Sequence, residues 1–351
     1  MAVTLKDIAQ KAGVSISTAS RIINNDMSKK ASKETSDRVW QVVKELGYIP
    51  NQNARNLIKG EGDGETPTKT KAIGCIFTSK TNSYTDPFFS QIAIGIQKEI
   101  INRGYVMGYT FSSYEMTDSA LYNNIVANKV DGAIILGRFS MDMLKFLKAN
   151  IKNLLYVGIN YVDGGFDEVI CDGYRAACAA VQYLIDLGHQ KIGFIGTVKK
   201  EGDTHIVNEH RFEGYKHTME QHQLKLTESW IKSIELSTGE GYRAAKEMLE
   251  NTSDRPTALF CANDAVAIGV MSAVHELGLS IPEDLSIIGI DNIEMAAYTV
   301  PPLTTIHVPK EELGTFAVKT LIDRIEDERA FPLRIDLPFE LIERKTCQKI
   351  K

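Results

Sequence analysis

From Lys71 onward the chain alternates short apolar runs with longer amphipathic stretches, and few folds accept that alternation. The strand-like runs are AIGCIF (72–77), GAIIL (132–136), LLYVGI (154–159), KIGFIG (191–196), TALFCA (257–262) and LSIIGI (285–290). Between them lie helical patterns such as FSQIAIGIQKEIINRG, AACAAVQYLIDLGH and DAVAIGVMSAVHELG. Strands that are apolar throughout belong in a parallel sheet covered by helices on both faces. About 280 residues exceed one doubly wound domain, so two similar lobes with a cleft between them are expected. Ligands of such folds sit where the strand C-termini face the crevice.

The first 50 residues read differently, as three short helices making a small all-α head. Thr4 can cap a helix through Leu5, Ile8, Ala9 and Ala12, and Gly13 stops it. The turn Gly13-Val14-Ser15 leads into a second stretch, Ile16 to Asn24, whose Ala19, Ile22 and Ile23 can face inward. A third pattern begins near Ser32 and carries Val39, Val42, Val43 and Leu46 before Gly47. The small Ala9 permits a close helix crossing, which is the layout of a helix-turn-helix. Ser15, Ser17, Thr18, Ser20, Arg21 and Asn24 give the second helix a row of hydrogen-bonding side chains, suited to base edges in a major groove. A helical bundle that binds protein could use the same polar face.

Charge is distributed to match a polyanion contact. Residues 1–60 carry a net +5 and the remainder −10. A basic head on an acidic body fits DNA phosphates, although an ordinary solvated basic face would look the same. Asn51 to Lys59 is a short polar helical stretch, and GEGDGETPTKT (60–70) reads as a flexible linker. The five cysteines (Cys75, Cys171, Cys178, Cys261, Cys347) lack CxxC spacing, which fits buried thiols and neither zinc nor a disulfide framework. No apolar run is long enough for a membrane helix, and the N-terminus lacks a signal-peptide block, so a cytoplasmic protein is expected.

The segment TLKDIAQKAGVSISTASRIINN is very similar to the head of the lactose-repressor (LacI/GalR) family, whose pattern is TLxDIAxxAGVSxxTVSRVLN. The resemblance continues through GYIPNQNARNLIKG, which looks like the family hinge, and through the core segments DPFFSQIAIGI, HRFEGY, CANDAVAIGV and PPLTTI. It implies a helix-turn-helix DNA-binding domain over 1–50, a hinge helix over 51–60 and a linker over 61–71. It also implies a periplasmic-binding-protein-like core, with an N-terminal lobe (72–171 and 304–333) and a C-terminal lobe (172–303 and 334–351). By this likeness Ile16, Ser17 and Arg21 read bases, with Thr18 beside them. Thr4, Ser15, Ser20 and Asn24 face phosphates. Asn51, Ala54 and Arg55 contact the groove or backbone, and Leu57 is either an apolar wedge at a central base step or the buried anchor of a linker helix. Ala19 departs from the family's usual Val without touching a base-reading position.

For the cleft, the resemblance nominates Arg211, Asn263 and Asp291 as effector ligands, with Arg211 and Asp291 neutralising one another. From the other lobe Ser79, Phe88, Phe89, Arg138 and Asn160 would face the same space. Either phenylalanine could stack on a sugar ring or belong to the core. Asp172 and Asp264 suit helix caps better than ligands. Enzyme readings find little support: GxSxG, HExxH and GxxxxGK[ST] motifs are missing, no cofactor or metal is implied, and His189 sits just beyond a helix end, where the dipole favours it. The expected protein is a homodimeric repressor of a sugar-utilisation operon that binds a pseudo-palindromic operator and is controlled by a small sugar. A galactoside is among the candidates, since GRFS after GAIIL is similar to members answering to galactosides. The rival reading is a global carbon-control regulator whose co-effector is a phosphorylated protein.

Overall fold

The computed structural model describes residues 3–23, 31–46, 48, 69–78, 86–112, 121, 124–125, 128–199, 208–250, 254–327 and 329–350. Three helices form the head: α1 (Leu5–Ala12), α2 (Ile16–Ile23) and α3 (Lys33–Leu46). Their inward faces meet in one apolar cluster that includes Ile8, Ala9, Ala12, Ala19, Ile23, Val39, Trp40 and Val43. Gly13 ends α1 at φ 65°, a left-handed conformation in which a side chain would be strained. Arg38 then donates its Nε to the carbonyl oxygen of Ala12 at 2.9 Å, tying α3 to the end of α1.

The core comprises two six-stranded sheets. The first contains β1 (Ala72–Thr78), β2 (Val106–Ser112), β3 (Gly132–Gly137), β4 (Leu154–Gly158), β5 (Asp167–Ile170) and β11 (Arg334–Asp336), in the order β11-β5-β4-β3-β1-β2 and parallel throughout. The second contains β6 (Ile192–Gly196), β7 (Ile231–Ser233), β8 (Ala258–Cys261), β9 (Ser286–Asp291), β10 (Thr304–His307) and β12 (Glu340–Ile342), in the order β12-β10-β9-β8-β6-β7. Among the described residues, only β12 runs antiparallel to its neighbour in that sheet. Seven helices cover the sheets among the described residues: α4 (Pro87–Asn102), α5 (Met141–Asn150), α6 (Gly173–Asp186), α7 (Arg211–Gln221), α8 (Thr238–Glu250), α9 (Asp264–Glu276) and α10 (Lys310–Asp327).

The period of two explains the apolar runs. Ile73, Cys75, Ile134, Leu136, Leu155 and Val157 point to one face of the first sheet. Ile76, Ala133, Ile135, Leu154 and Tyr156 point to the other, and both faces are buried. On one of them α4 and α10 cross closely. A methyl group on Gly95 would lie 2.0 Å from the carbonyl oxygen of Glu311, and one on Gly314 would lie 2.2 Å from that of Ile92.

Three crossovers connect the lobes: after β5, between β10 and α10, and between β11 and β12. Two of the expected lobe boundaries therefore move. Residues 304–307 were expected in the N-terminal lobe, yet β10 pairs with β9 in the second sheet. Residues 334–336 were expected in the C-terminal lobe, yet β11 pairs with β5 in the first. The physical reason lies in long-range polar bonds that local pattern does not display. Thr305 Oγ1 donates to Asp264 at 2.5 Å, fixing β10 in the second lobe. At the other boundary, buried Asp167 accepts from the Leu333 amide at 2.7 Å and from both Arg324 and Arg329, docking the approach to β11 beside β5.

Candidate functional site

In the head, the residues expected to touch DNA also build the helices that present them. Thr4 and Asp7 form a reciprocal capping box: the Thr4 amide donates to Asp7 Oδ2 at 2.8 Å, and the Thr4 hydroxyl accepts from the Asp7 amide at 3.3 Å. Hydrogen bonds from Thr4 hold the Asp7 carboxyl below its usual range. Ser15 starts α2, its hydroxyl accepting from the Thr18 amide at 3.1 Å and lying 2.8 Å from Thr18 Oγ1. Arg21 lies back along α2, donating Nε to the Ser17 carbonyl oxygen at 3.2 Å. Ile16, at the first turn, is 50% exposed, an unusual position for a branched apolar side chain in a small packed head. Ser15 and Ser17 are also exposed, and Ser20 is half-buried. α2 thus offers an apolar contact, hydroxyls and a guanidinium along one short surface. Asn24 and the hinge residues Asn51, Ala54, Arg55 and Leu57 lie outside the described residues, as does Ser79 of the cleft.

Between the lobes, the central feature is Glu209, which sequence reasoning did not nominate. It is buried immediately before α7, between an arginine of each lobe. Arg211 donates Nε to Glu209 Oε1 at 2.8 Å and Nη2 to Oε2, and its Nη1 reaches the Ala262 carbonyl oxygen at 2.8 Å. Arg138, beyond β3 of the first lobe, donates Nη2 to Glu209 Oε2 at 2.5 Å and Nη1 to Thr197 Oγ1 at 2.8 Å. Burial opposes ionisation of Glu209, but the two guanidinium groups outweigh it and hold the carboxyl down at about 2. The expected Arg211–Asp291 ion pair is accordingly corrected: Glu209, two residues upstream, is the bonded partner of Arg211. Its position in NEHRFEGY was the available signal.

Asp291 ends β9 with φ 120°, far from ordinary strand geometry, and is followed by Asn292 at φ 51°. Its side chain is buried, and Oδ1 has no hydrogen-bond partner. Burial, reinforced by nearby Asp264, pushes its carboxyl well above the ordinary range. The buried Lys310 at the start of α10 supports this turn. Its ammonium donates to the carbonyl oxygens of Asp291, Val308 (3.0 Å) and Asn292 (3.3 Å). Asn160, beyond β4, donates Nδ2 to the Asn208 carbonyl oxygen at 3.2 Å, while its buried Oδ1 is also without a partner.

Other candidates turn out to have local duties. Asn263 caps α9, its Oδ1 accepting from the Val266 amide at 2.9 Å. Asp264, expected as the cap, is instead the first residue of α9 and accepts from the Ile293 amide at 2.9 Å. Burial raises its carboxyl to about 7. Asp172 does cap α6, accepting from the Arg175 amide at 3.1 Å. Phe88 and Phe89 are half-buried, edge-on to one another at 5.3 Å, and Phe89 packs edge-on to Phe77. They begin α4 beneath its cap Asp86, whose carboxylate accepts from the Phe88 amide at 2.9 Å. His189 is buried between Thr257 and the Gln348 carbonyl oxygen, a structural position. No helix among the described residues is long and apolar enough to cross a membrane.

Known proteins share this arrangement. The head, residues 4–51, matches the family described as bacterial regulatory proteins, lacI family. Residues 181–347 match the periplasmic binding protein-like domain. The chain is 33% identical over 352 residues to the HTH-type transcriptional repressor PurR of Escherichia coli O1:K1 / APEC, an alignment covering 98% of this chain and 96% of the relative. The Lac repressor dimer bound to operator and the anti-inducer ONPF superposes with a TM-score of 0.68 at 26% identity, covering 99% of this chain and 100% of that one. A LacI family transcriptional regulator from Enterococcus faecium with bound ribose superposes with a TM-score of 0.65 at 29% identity, covering 80% of this chain and 100% of that one. With a helix-turn-helix head, a two-lobed core and an alignment running nearly end to end, this chain belongs to the lacI family of bacterial regulatory proteins.

Proposed function

We propose that this lacI-family transcriptional repressor binds a pseudo-palindromic operator as a homodimer and answers to a small sugar held between its lobes, in control of a sugar-utilisation operon. One observation carries the effector reading. Asp291 Oδ1 and Asn160 Oδ1 are buried acceptors without partners, one on each side of the lobe junction. A buried polar atom left unsatisfied costs about 1–3 kcal/mol, so both atoms favour a ligand that donates hydrogen bonds. Sugar hydroxyls do so. Arg211, Arg138 and Asn263 frame the same region, and the ribose-bound relative from Enterococcus faecium supports the ligand class.

The site is read as one for binding and not for catalysis. The Cys171 thiol is pushed up to about 12 by burial and is no nucleophile at neutral pH. The dimer reading draws support from exposed apolar side chains on the first lobe: Ile94 and Ile101 on α4, Val106 and Met107 on β2, and Phe316 on α10. Control follows if sugar binding changes the angle between the lobes, since the head is attached to the first lobe. The sugar would then bind the low-affinity conformer better, and operator affinity would fall by the coupling free energy.

The test is fluorescence anisotropy with an operator recovered by in-vitro selection from random DNA, titrated with a panel of mono- and disaccharides. One sugar should weaken binding, and Asp291→Ala should abolish that response while operator binding persists. Operator binding that no sugar alters would transfer the reading to a protein co-effector.

A further inference from the structure

Two arginines meet at the lobe junction, and an arginine pair ordinarily invites a phosphate or carboxylate. Here the invitation is withdrawn. All three nitrogens of the Arg211 guanidinium are engaged: Nε and Nη2 by Glu209, and Nη1 by the Ala262 carbonyl oxygen at 2.8 Å. Arg138 is engaged by Glu209 at 2.5 Å and by Thr197 at 2.8 Å. Glu209 is buried and bonded to both. Among the described residues at this junction, the buried side-chain atoms left without partners are Asp291 Oδ1 and Asn160 Oδ1, and the amide oxygen of Asn160 can only accept. Asp86, capping α4, adds a further carboxylate on the Asp291 side, near enough to act on it electrostatically. An incoming anion would meet two guanidinium groups whose positive charge Glu209 already offsets, beside an amide oxygen that only accepts.

We infer that Glu209 is a specificity-determining residue: by occupying both cleft guanidinium groups it makes the site select an uncharged, hydroxyl-rich effector and reject phosphorylated or carboxylated sugars. The inference rests on the cleft being the effector site and narrows the class of sugar it takes. Because Arg138 and Arg211 come from opposite lobes, the same carboxylate also stops two cations from repelling across the junction.

Calorimetric titration of the full-length protein with inorganic phosphate and with glucose 6-phosphate, at constant ionic strength, tests it. The wild type should show no saturable binding of either anion. Glu209→Gln should acquire saturable binding, with a dissociation constant at least roughly tenfold below the highest anion concentration at which the wild type shows none, as one or two released charge-assisted donors would give. Removing Arg138 as well (Glu209→Gln with Arg138→Met) should reverse most of that gain. A wild type that binds either anion overturns the inference, as does a Glu209→Gln protein that melts cooperatively yet gains nothing. Should Glu209→Gln not fold, the wild-type titration alone decides on the same criterion. A parallel titration with ribose and cellobiose separates the two claims. Silence toward neutral sugars overturns the sugar reading and with it the selection of an uncharged effector, whereas anion binding released by Glu209→Gln upholds the part of the inference in which Glu209 excludes anions.

Discussion

Lys310, the first residue of α10, donates its buried ammonium to the main-chain oxygen of Asp291, the last residue of β9. The helix packs on the first lobe and the strand lies in the second sheet, so this bond joins the lobes at the residue nominated to hold the effector. It also supports a backbone that would otherwise resist its own geometry, since Asp291 and Asn292 both have positive φ. The proposed effector contact and the lobe orientation therefore meet within one short turn.

Lys310→Met should expose the importance of that bond. Methionine fills similar space but removes the ammonium from the carbonyl oxygens of Val308, Asn292 and Asp291, leaving Val308 its bond from the residue-310 amide at 2.8 Å and Asp291 only the long one from the Val308 amide at 3.4 Å. A loss of about 2–3 kcal/mol in core stability is expected, read by urea unfolding followed by circular dichroism. The response of operator binding to effector should weaken more than operator binding itself. Unfolding within about 0.5 kcal/mol of wild type, the range of an ordinary surface substitution, would show that the ammonium is dispensable.

Glu209 sets an acid limit on the core. Its folded carboxyl lies at about 2, below its ordinary value, because Arg211 and Arg138 overcome the effect of burial. A depressed carboxylate contributes stability in full above its unfolded pKa and loses it as pH falls toward the folded value. The window here runs from about pH 5 down to about 2, and the contribution is on the order of 3 kcal/mol. The stability difference between wild type and Glu209→Gln should thus be large at pH 6 and shrink steadily below pH 4.5. A difference that does not change with pH would mean that the charge of Glu209 contributes nothing.

The head and the two-sheet core were legible in the sequence because each rests on local pattern. Thr4, Gly13 and Ser15 mark helix ends through bonds reaching at most five residues, and consecutive apolar residues such as Ile134 and Ile135 mark strands buried on both faces. Strand membership was not so legible. Nothing local in PPLTTI or in LRID (333–336) says which sheet each joins, and the bonds of Thr305 to Asp264 and of Leu333 to Asp167 decide it.

The cleft was legible by motif and obscure in its electrostatics. Arg211 and Asp291 stood out, yet the partner of Arg211 proved to be the nearby Glu209, which a motif centred on HRFEGY leaves out. Lys310 was hidden for another reason. A lysine opening a helix looks like a solvated charge, and only the crossover before α10 turns it inward onto three carbonyl oxygens.

On the DNA side, Arg21 and Ser15 should separate reading from scaffolding. Ser15→Ala removes the hydroxyl that accepts from the Thr18 amide and should lower head stability by about 1 kcal/mol. Arg21→Ala removes no cap, since its own bond to the Ser17 carbonyl oxygen lies on the outside of α2. It should cost about 1–3 kcal/mol in operator affinity and flatten discrimination between operator variants at one base step. Anisotropy with single-step operator variants measures both. Uniform weakening across all variants would assign Arg21 to phosphate contact.

The exposed apolar side chains of the first lobe yield the last prediction. Ile101 is 66% exposed at the end of α4, Val106 is 59% exposed at the start of edge strand β2, and Phe316 lies on the neighbouring α10. An edge strand flanked by unpaired isoleucine and valine favours association, and a second copy would cover these groups in both partners at once. Ile101→Asp places a charge in that contact without disturbing the core, because the side chain already faces out. Sedimentation equilibrium should show the variant shifted toward monomer, by about tenfold or more in dissociation constant for a carboxylate buried across an interface. Operator affinity should fall with it, since a monomer engages one half-site where a dimer engages two. A variant that remains dimeric at wild-type concentrations would place the dimer contact elsewhere on the molecule.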